Sequence, residues 1–388
     1  PGLSTLIYKG PKRKDRFKEF GKTDLVLTTY GTLRQDAEPM REVAFAYVVL
    51  DESHIIKNRE AKTTQAVLKL NARHRLSLTG TPIENSTMDL WTQMEFLNPG
   101  LLGSATFFER YYAMPIEKEQ NEERAAQLHD LTRPFLMRRT KDMVAKDLPE
   151  RIEHVQTCEM SEAQAALYLK TASLYRKTLF IGQPDNELNK NKMQVLSSIQ
   201  RLRQIAIHPQ LVDPRITDSG KYEVMWERME EVLAGGGKVL IFSQFVKLLK
   251  ILQADLLKRG LSHSYLDGSL STEARAREVN RFQDDDNVRI FLISLKAGGV
   301  GLNLTAAQYV FLLDPWWNPA IEQQAINRAH RIGQTSTVFV YKFITVDSIE
   351  EKILKMQQQK LQLAQDVIKS EAQFFKALTR DDLESLFA

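Results

Sequence analysis

Short apolar runs separated by amphipathic stretches occur in two blocks along the chain. In the first block, residues 25–29, 47–50 and 76–78 are β-branched and leucine-rich runs of strand length. Residues 58–71 between them repeat at helical spacing through Ala61, Thr64, Val67 and Leu68. From about residue 87 to 220 strand signals give way to polar-rich helical stretches at 117–131, 161–179 and 190–207, with 136–153 reading as a connector. The alternation returns after Lys238. Strands are predicted at 239–242, 263–266, 290–294, 309–313 and 338–344, with helices at 245–259 and 272–282 between them. Residues 348–368 read as one amphipathic helix with Ile349, Ile353, Leu354, Leu361 and Val367 on its apolar side. Strands alternating with helices define an α/β protein with doubly wound parallel sheets, interrupted by helical insertions.

Composition narrows this frame. The 388 residues suffice for two or three packed domains, and 53 Lys+Arg against 49 Asp+Glu leave a net charge of +4. That excess permits a polyanionic partner without requiring one. No apolar run approaches the ~18 residues of a membrane span. One cysteine, Cys158, excludes an internal disulfide framework or a thiolate metal cage, and a reducing, intracellular compartment is expected. The chain opens on Pro1 without a methionine or signal peptide, so a cut or processed N-terminus is expected.

Several segments carry chemistry. In Tyr47-Val-Val-Leu-Asp51-Glu52-Ser53-His54 an apolar strand ends in two acids. Both carboxylates then stand at the carboxyl edge of a parallel sheet, where such sheets bind ligands. One carboxylate is enough to hold a magnesium ion beside nucleotide phosphates, and its neighbour is placed to orient or deprotonate water. A strand leaving the core into a solvated acidic turn has the same sequence, and the residues alone leave both readings open. Leu76-Ser-Leu-Thr79-Gly80-Thr81-Pro82 is a strand followed by a tight turn, and an ordinary turn is the better reading of it in isolation. Lys296-Ala-Gly-Gly299-Val-Gly301 lets a backbone approach a phosphate closely but also suits a plain strand–helix turn. Gln324-Ala-Ile-Asn-Arg328-Ala-His330-Arg331 places two arginines three apart, hence on one helical face, as a fork of guanidinium donors. Before it, Trp316 and Trp317 lie between prolines, a pattern that fits packing on a neighbouring domain or a nucleic-acid groove.

Two segments imitate a phosphate-binding P-loop and fail. Gly21-Lys22-Thr23 has Arg16 where the pattern wants glycine, a charged helical stretch before it and a strand after it. Gly237-Lys238 is followed by Val239 in place of Ser or Thr. The seven histidines show no metal-ligand spacing, so no zinc is expected.

In order along the chain, Asp-Glu-Ser-His, Leu-Thr-Gly-Thr-Pro, Gly-Gly-Val-Gly-Leu-Asn-Leu, Trp-Asn-Pro and Arg-Ala-His-Arg-Ile-Gly-Gln resemble the motif series of superfamily-two helicase-like ATPases. The last two phrases resemble its Swi/Snf branch of DNA-stimulated double-strand translocases. Asp24–Tyr30 resembles motif Ib, Phe135–Pro149 the family's connector, and Leu202–Pro209 its helical-insertion signature, with Ala206 where cysteine is usual. The compact spacing resembles prokaryotic members. The resemblance implies two RecA-like lobes, the first incomplete, with ATP hydrolysed in the cleft between them. The carboxyl-terminal part of the first lobe is expected over 1–145, with a helical insertion at about 87–135. The connector and helical insertion of the second lobe are expected over 146–220, that lobe over 221–345, and a helical extension packing back on the lobes over 346–388.

The resemblance also implies roles. Asp51 and Glu52 match the acids that serve Mg²⁺-ATP and water activation, with Asp51 toward the metal. Arg328 and Arg331 match the arginine fingers, and Gln324 the glutamine that opens their motif. Thr79, Gly80, Thr81, Gly299 and Gly301 lie in segments that couple hydrolysis to DNA. Tyr30, Gly268, Ser269, Lys296 and Trp317 lie in segments that contact or respond to the backbone of double-stranded DNA, read with little sequence preference. A cytoplasmic protein is expected, nucleoid-associated in a bacterium and nuclear in a eukaryote. Family members carry an adenine-recognising segment, the P-loop and motif Ia upstream of the point where this sequence starts. The 388 residues alone are therefore expected to hydrolyse almost no ATP. Two other readings are open: a non-catalytic DNA-binding or complementing module, and a strand-separating or RNA helicase of the same superfamily.

Overall fold

In a computed structural model, residues 2–79, 86–137, 139, 143, 145, 147–179, 192–298, 302–315, 319–355 and 385–387 are described. The chain divides into two compact units, one spanning Pro1–Arg138 and the other opening at Arg139.

The first unit holds four short strands in two parallel pairs. Strands β1 (Thr5–Tyr8) and β2 (Leu25–Thr28) form one pair, and β3 (Phe45–Leu50) and β4 (Ala72–Ser77) the other. One face of each pair turns onto a common core in which Leu6, Tyr8, Leu50, Ile56, Val67 and Phe96 are buried. The other face is apolar and bare. Ile7 pairs with Leu27, and Val49 with Leu76; these four side chains are 47–52% exposed. Tyr47 stacks on His74 beside them, its ring also in solvent. Helix Thr87–Leu97 begins with a capping box in which Ser86 and Asp89 exchange bonds, and buries Leu90, Trp91 and Met94 in a second cluster with Phe108 and Tyr112.

The second unit is built on a six-stranded, wholly parallel sheet. Its strands are β5 (Arg151–Cys158), β6 (Val239–Ser243), β7 (His263–Leu266), β8 (Ile290–Ser294), β9 (Tyr309–Leu312) and β10 (Val338–Thr345), in the order β5-β10-β9-β6-β8-β7. β6 and β8 are buried at every residue because helices cover both faces, giving two cores on opposite sides of the sheet. A third cluster joins helices Glu162–Leu179 and Lys192–Ile207 to Ile349 and Ile353. Connections leave β6 toward β7 and β9 toward β10, so the topological switch lies between β6 and β9.

This is the expected α/β architecture, with differences of detail. β1 is four residues long and β5 is mostly charged and polar, with Ile152, Val155 and Cys158 its apolar positions, so neither read as a strand. β5 corrects the reading of 136–153 as connector alone and of 87–220 as free of strands. β4 begins at Ala72 rather than at residue 76, and residues 114–132 form two helices, Met114–Glu119 and Glu122–Thr132, split at Gln120 in a left-handed backbone. Of the helix expected at 348–368, residues 349–355 are helical; 356–368 lie outside the described residues. No described helix is long and apolar enough to cross a membrane.

Candidate functional site

In the first unit the chemistry gathers where β3 ends. Asp51 follows the last strand residue, and Glu52 takes a left-handed backbone (φ 49°, ψ 50°) before the turn Ser53–Ile56. For a residue with a Cβ that conformation costs roughly 1–2 kcal/mol, and three groups hold it in place. The Glu52 amide donates to Asp51 Oδ1 at 3.0 Å. Tyr30, at the start of helix Tyr30–Gln35, donates its hydroxyl to the Asp51 carbonyl at 2.8 Å. The Ser53 amide donates to the Leu78 carbonyl at 3.0 Å, and Leu78 returns a bond to Leu50 at 2.8 Å, locking the ends of β3 and β4 together. Beneath this turn, the Ser77 hydroxyl donates to buried Ser53 Oγ at 2.6 Å. Burial, then the negative charges of Asp51 and Glu52, push the Tyr30 hydroxyl up to about 12, so it stays a donor. His54 Nδ1 stands 3.3 Å from Glu52 Oε2. Both acids are thus presented outward from a fixed backbone.

Thr79 lies two residues beyond the end of β4 and is half-buried; Gly80 and Thr81 lie outside the described residues. Among the described residues no three metal-ligating side chains cluster, and this edge carries the two neighbouring carboxylates of Asp51 and Glu52. A single outward carboxylate fits a Mg²⁺ ion whose other ligands are phosphate oxygens and water.

In the second unit the helix Pro319–Ile326 carries half-buried Gln324 and stops before either arginine. Arg328 and Arg331 lie in the turns that follow, one buried and the other exposed, which corrects their expected placement on one helical face. The cause is Gln334. Its carboxamide donates to the carbonyls of Thr305, Ala307 and Ala329, and accepts from the Thr335 and Ser336 amides. Gly333, at φ 103°, supplies the reversal this closure needs. Arg328 gives its carbonyl to the Leu304 amide at 3.0 Å.

After β7, Asp267 organises a second turn. Its Oδ1 accepts both the amide (2.9 Å) and the hydroxyl (2.5 Å) of Ser269, and its Oδ2 accepts the Tyr265 hydroxyl at 2.8 Å. Burial opposes the charge on Asp267, but the Ser269 and Tyr265 donors prevail and hold its carboxyl below the usual range. Gly268 sits at the apex, where an added Cβ would meet no atom of the chain. Lys296 falls in the short helix Leu295–Gly298 after β8. Gly299, Gly301 and Trp317 lie outside the described residues.

At the switch between β6 and β9, the crevice is filled by charge. Asp314 is fully buried, accepts the Gln244 amide at 3.2 Å, and lies 4.0 Å from the buried Arg203 guanidinium, which also donates to the Pro315 carbonyl. Burial raises the Asp314 carboxyl against the pull of Arg203. Lys221, equally buried, donates to the carbonyls of Leu313 and Phe343 (3.0 Å each) and pairs with Glu350. Sequence reading missed Tyr30's bond to the acid turn, the Gln334 closure and this ionic cluster. Each rests on a partner distant in sequence, which no local pattern announces.

The SNF2-related domain model matches residues 1–211, and the helicase conserved C-terminal domain model matches residues 223–333. The chain belongs to the SNF2-related family. It is 40% identical over 399 aligned residues to a Bacillus subtilis protein described as a putative ATP-dependent helicase/translocase, covering 100% of this chain and 43% of that protein. An uncharacterised ATP-dependent helicase of Mycoplasma genitalium is 36% identical, covering 97% of this chain and 36% of that protein. The chain therefore spans about two fifths of the length of these relatives. Among solved structures, the SWI2/SNF2 ATPase core of Sulfolobus solfataricus in complex with double-stranded DNA matches with a TM-score of 0.53 and 35% identity, covering 100% of this chain and 81% of that one.

Proposed function

We propose that these residues are the carboxyl-terminal portion of the motor of an ATP-dependent double-stranded DNA translocase. The observation that carries this reading is the Asp51–Glu52 turn. A strained, left-handed glutamate at the carboxyl end of a parallel strand, fastened by Tyr30, Ser53 and Leu78, is a backbone feature that a mere solvated turn does not need. Glu52 accepts a proton from the attacking water, and Asp51 would hold Mg²⁺, which when bound would neutralise phosphate charge. Arg328 and Arg331 stabilise the charge spreading over the transferred phosphoryl group, and Gln324 supports their motif.

Thr79, Gly80 and Thr81, with Gly299 and Gly301, pass the state of the nucleotide to the DNA-contacting segments. Tyr30, Gly268, Ser269, Lys296 and Trp317 belong to those segments. At Gly268 the open space above the turn admits a phosphate backbone, while the Ser269 hydroxyl is spent on Asp267 and serves to shape the turn. Such contacts track the backbone rather than read bases, so weak sequence preference and steep salt dependence are expected.

Two observations support an incomplete first lobe. Among the described residues no strand–glycine loop–helix phosphate cradle occurs, and Gly21-Lys22 closes a 3-10 helix that runs into β2. The bare apolar face of β1–β4 is the face a parallel sheet normally covers. The test is ATP hydrolysis with and without duplex DNA, comparing the 388 residues with a version extended upstream by about one domain's length. Activity confined to the extended protein and rising on duplex DNA is the expected result. DNA binding by both with hydrolysis by neither would establish the non-catalytic module instead.

A further inference from the structure

The segment by which the chain enters the second unit is fastened to the arginine turn. Residues 147–150 lead into β5. His330 Nε2 lies 2.8 Å from the Pro149 carbonyl, a contact that only an Nε2–H makes. Arg151 Nη1 donates to Gln323 Oε1 at 3.0 Å, one residue before Gln324. Lys342 on β10 stands between Glu153 of β5 (3.0 Å) and Glu322 of the helix Pro319–Ile326 (3.4 Å). The Val338 amide closes on the Glu150 carbonyl at 3.0 Å.

The arginine turn does not need these bonds to form, because Gln334 already closes it through its own carboxamide. The Pro149 contact therefore does something else. It spans 181 positions, buries an imidazole, and ties the turn to the backbone that leads into β5.

We infer that His330 is a positioning residue: through Pro149 it sets Arg328 and Arg331 in register with the entry segment, so that displacing the segment displaces the arginines. This rests on the reading of those arginines given above, and the experiment separates the two.

The first arm is amide hydrogen exchange on the 388-residue chain. His330→Ala should speed exchange about 10-fold at residues 328–334 and at Val338 together, leaving β6 and β8 unchanged. No change at either place, or an equal rise in β6 and β8, overturns the inference whatever the arginines do. The second arm is DNA-stimulated ATP hydrolysis by the full-length protein that carries these residues. His330→Ala should lower kcat about 10-fold with KM for ATP shifted less than about two-fold, as expected for misplaced groups rather than lost binding. His330→Gln, whose carboxamide N–H reaches the same carbonyl, should restore most of the rate. The double variant with Arg331→Ala should be no slower than Arg331→Ala alone. Multiplying effects would overturn the inference. An Arg331→Ala protein that keeps full turnover would instead sink the assignment of the arginines and leave the exchange result to decide the register contact.

Discussion

Glu52 joins backbone strain to side-chain chemistry. Gln in its place keeps the size and the left-handed backbone but cannot take a proton. In the full-length protein, Glu52→Gln should bind nucleotide with unchanged affinity and lose turnover, measured by fluorescent-nucleotide titration beside hydrolysis; retained turnover would remove its role as base. Glu52→Gly should raise thermal stability by roughly 1 kcal/mol, because glycine adopts φ 49° without strain, while also abolishing hydrolysis. Stability and activity would then move in opposite directions at one position. The acid pair was legible in the sequence as a strand ending in two carboxylates, whereas the strain that singles it out is set by Tyr30, Ser53 and Leu78 and was not. The arginines give the converse case. Their residue type was legible, but helical spacing misplaced them because Gln334 and Gly333 end the helix through carbonyls up to 29 positions away.

Among elements, the strands of the second sheet that were easiest to read are those buried on both faces, such as β6 and β8, since unbroken apolar runs admit few alternatives. β5 was illegible for the opposite reason. It lies at the sheet edge, with Glu153, His154 and Val155 exposed, and only its pairing with β10 identifies it. The helix Lys192–Ile207 ends at His208, whose ring accepts the Gln210 amide and meets Tyr222 edge-on. Burial lowers its pKa to about 4, against a small opposing pull from Asp255. The unfolded chain binds a proton near pH 6.5 that the folded ring refuses. Its contribution is therefore whole above pH 6.5 and is lost as pH falls toward about 4, at about 1.4 kcal/mol per pH unit. Urea unfolding at pH 7 and pH 5 should show this loss, and His208→Gln should flatten it.

Across the whole molecule, the two units differ in how completely they are covered. The second buries both faces of its sheet under its own helices, while the first leaves Ile7, Leu27, Val49 and Leu76 open. Expressed separately, residues 139–388 should unfold in one cooperative step and bind little hydrophobic dye. Residues 1–138 should bind dye strongly and self-associate, and should lose both properties when extended upstream. Dye binding of similar strength by both pieces would contradict the reading of an incomplete first lobe.

Cys158 ends β5, buried against β10 opposite Thr345, and its burial pushes the thiol up to about 11. With no second cysteine in the chain, alkylation registers one event, the peeling of that edge strand. A disulfide reagent then becomes a stopwatch for the far end of the strand by which the chain enters the second unit, timing how firmly that unit holds its own border.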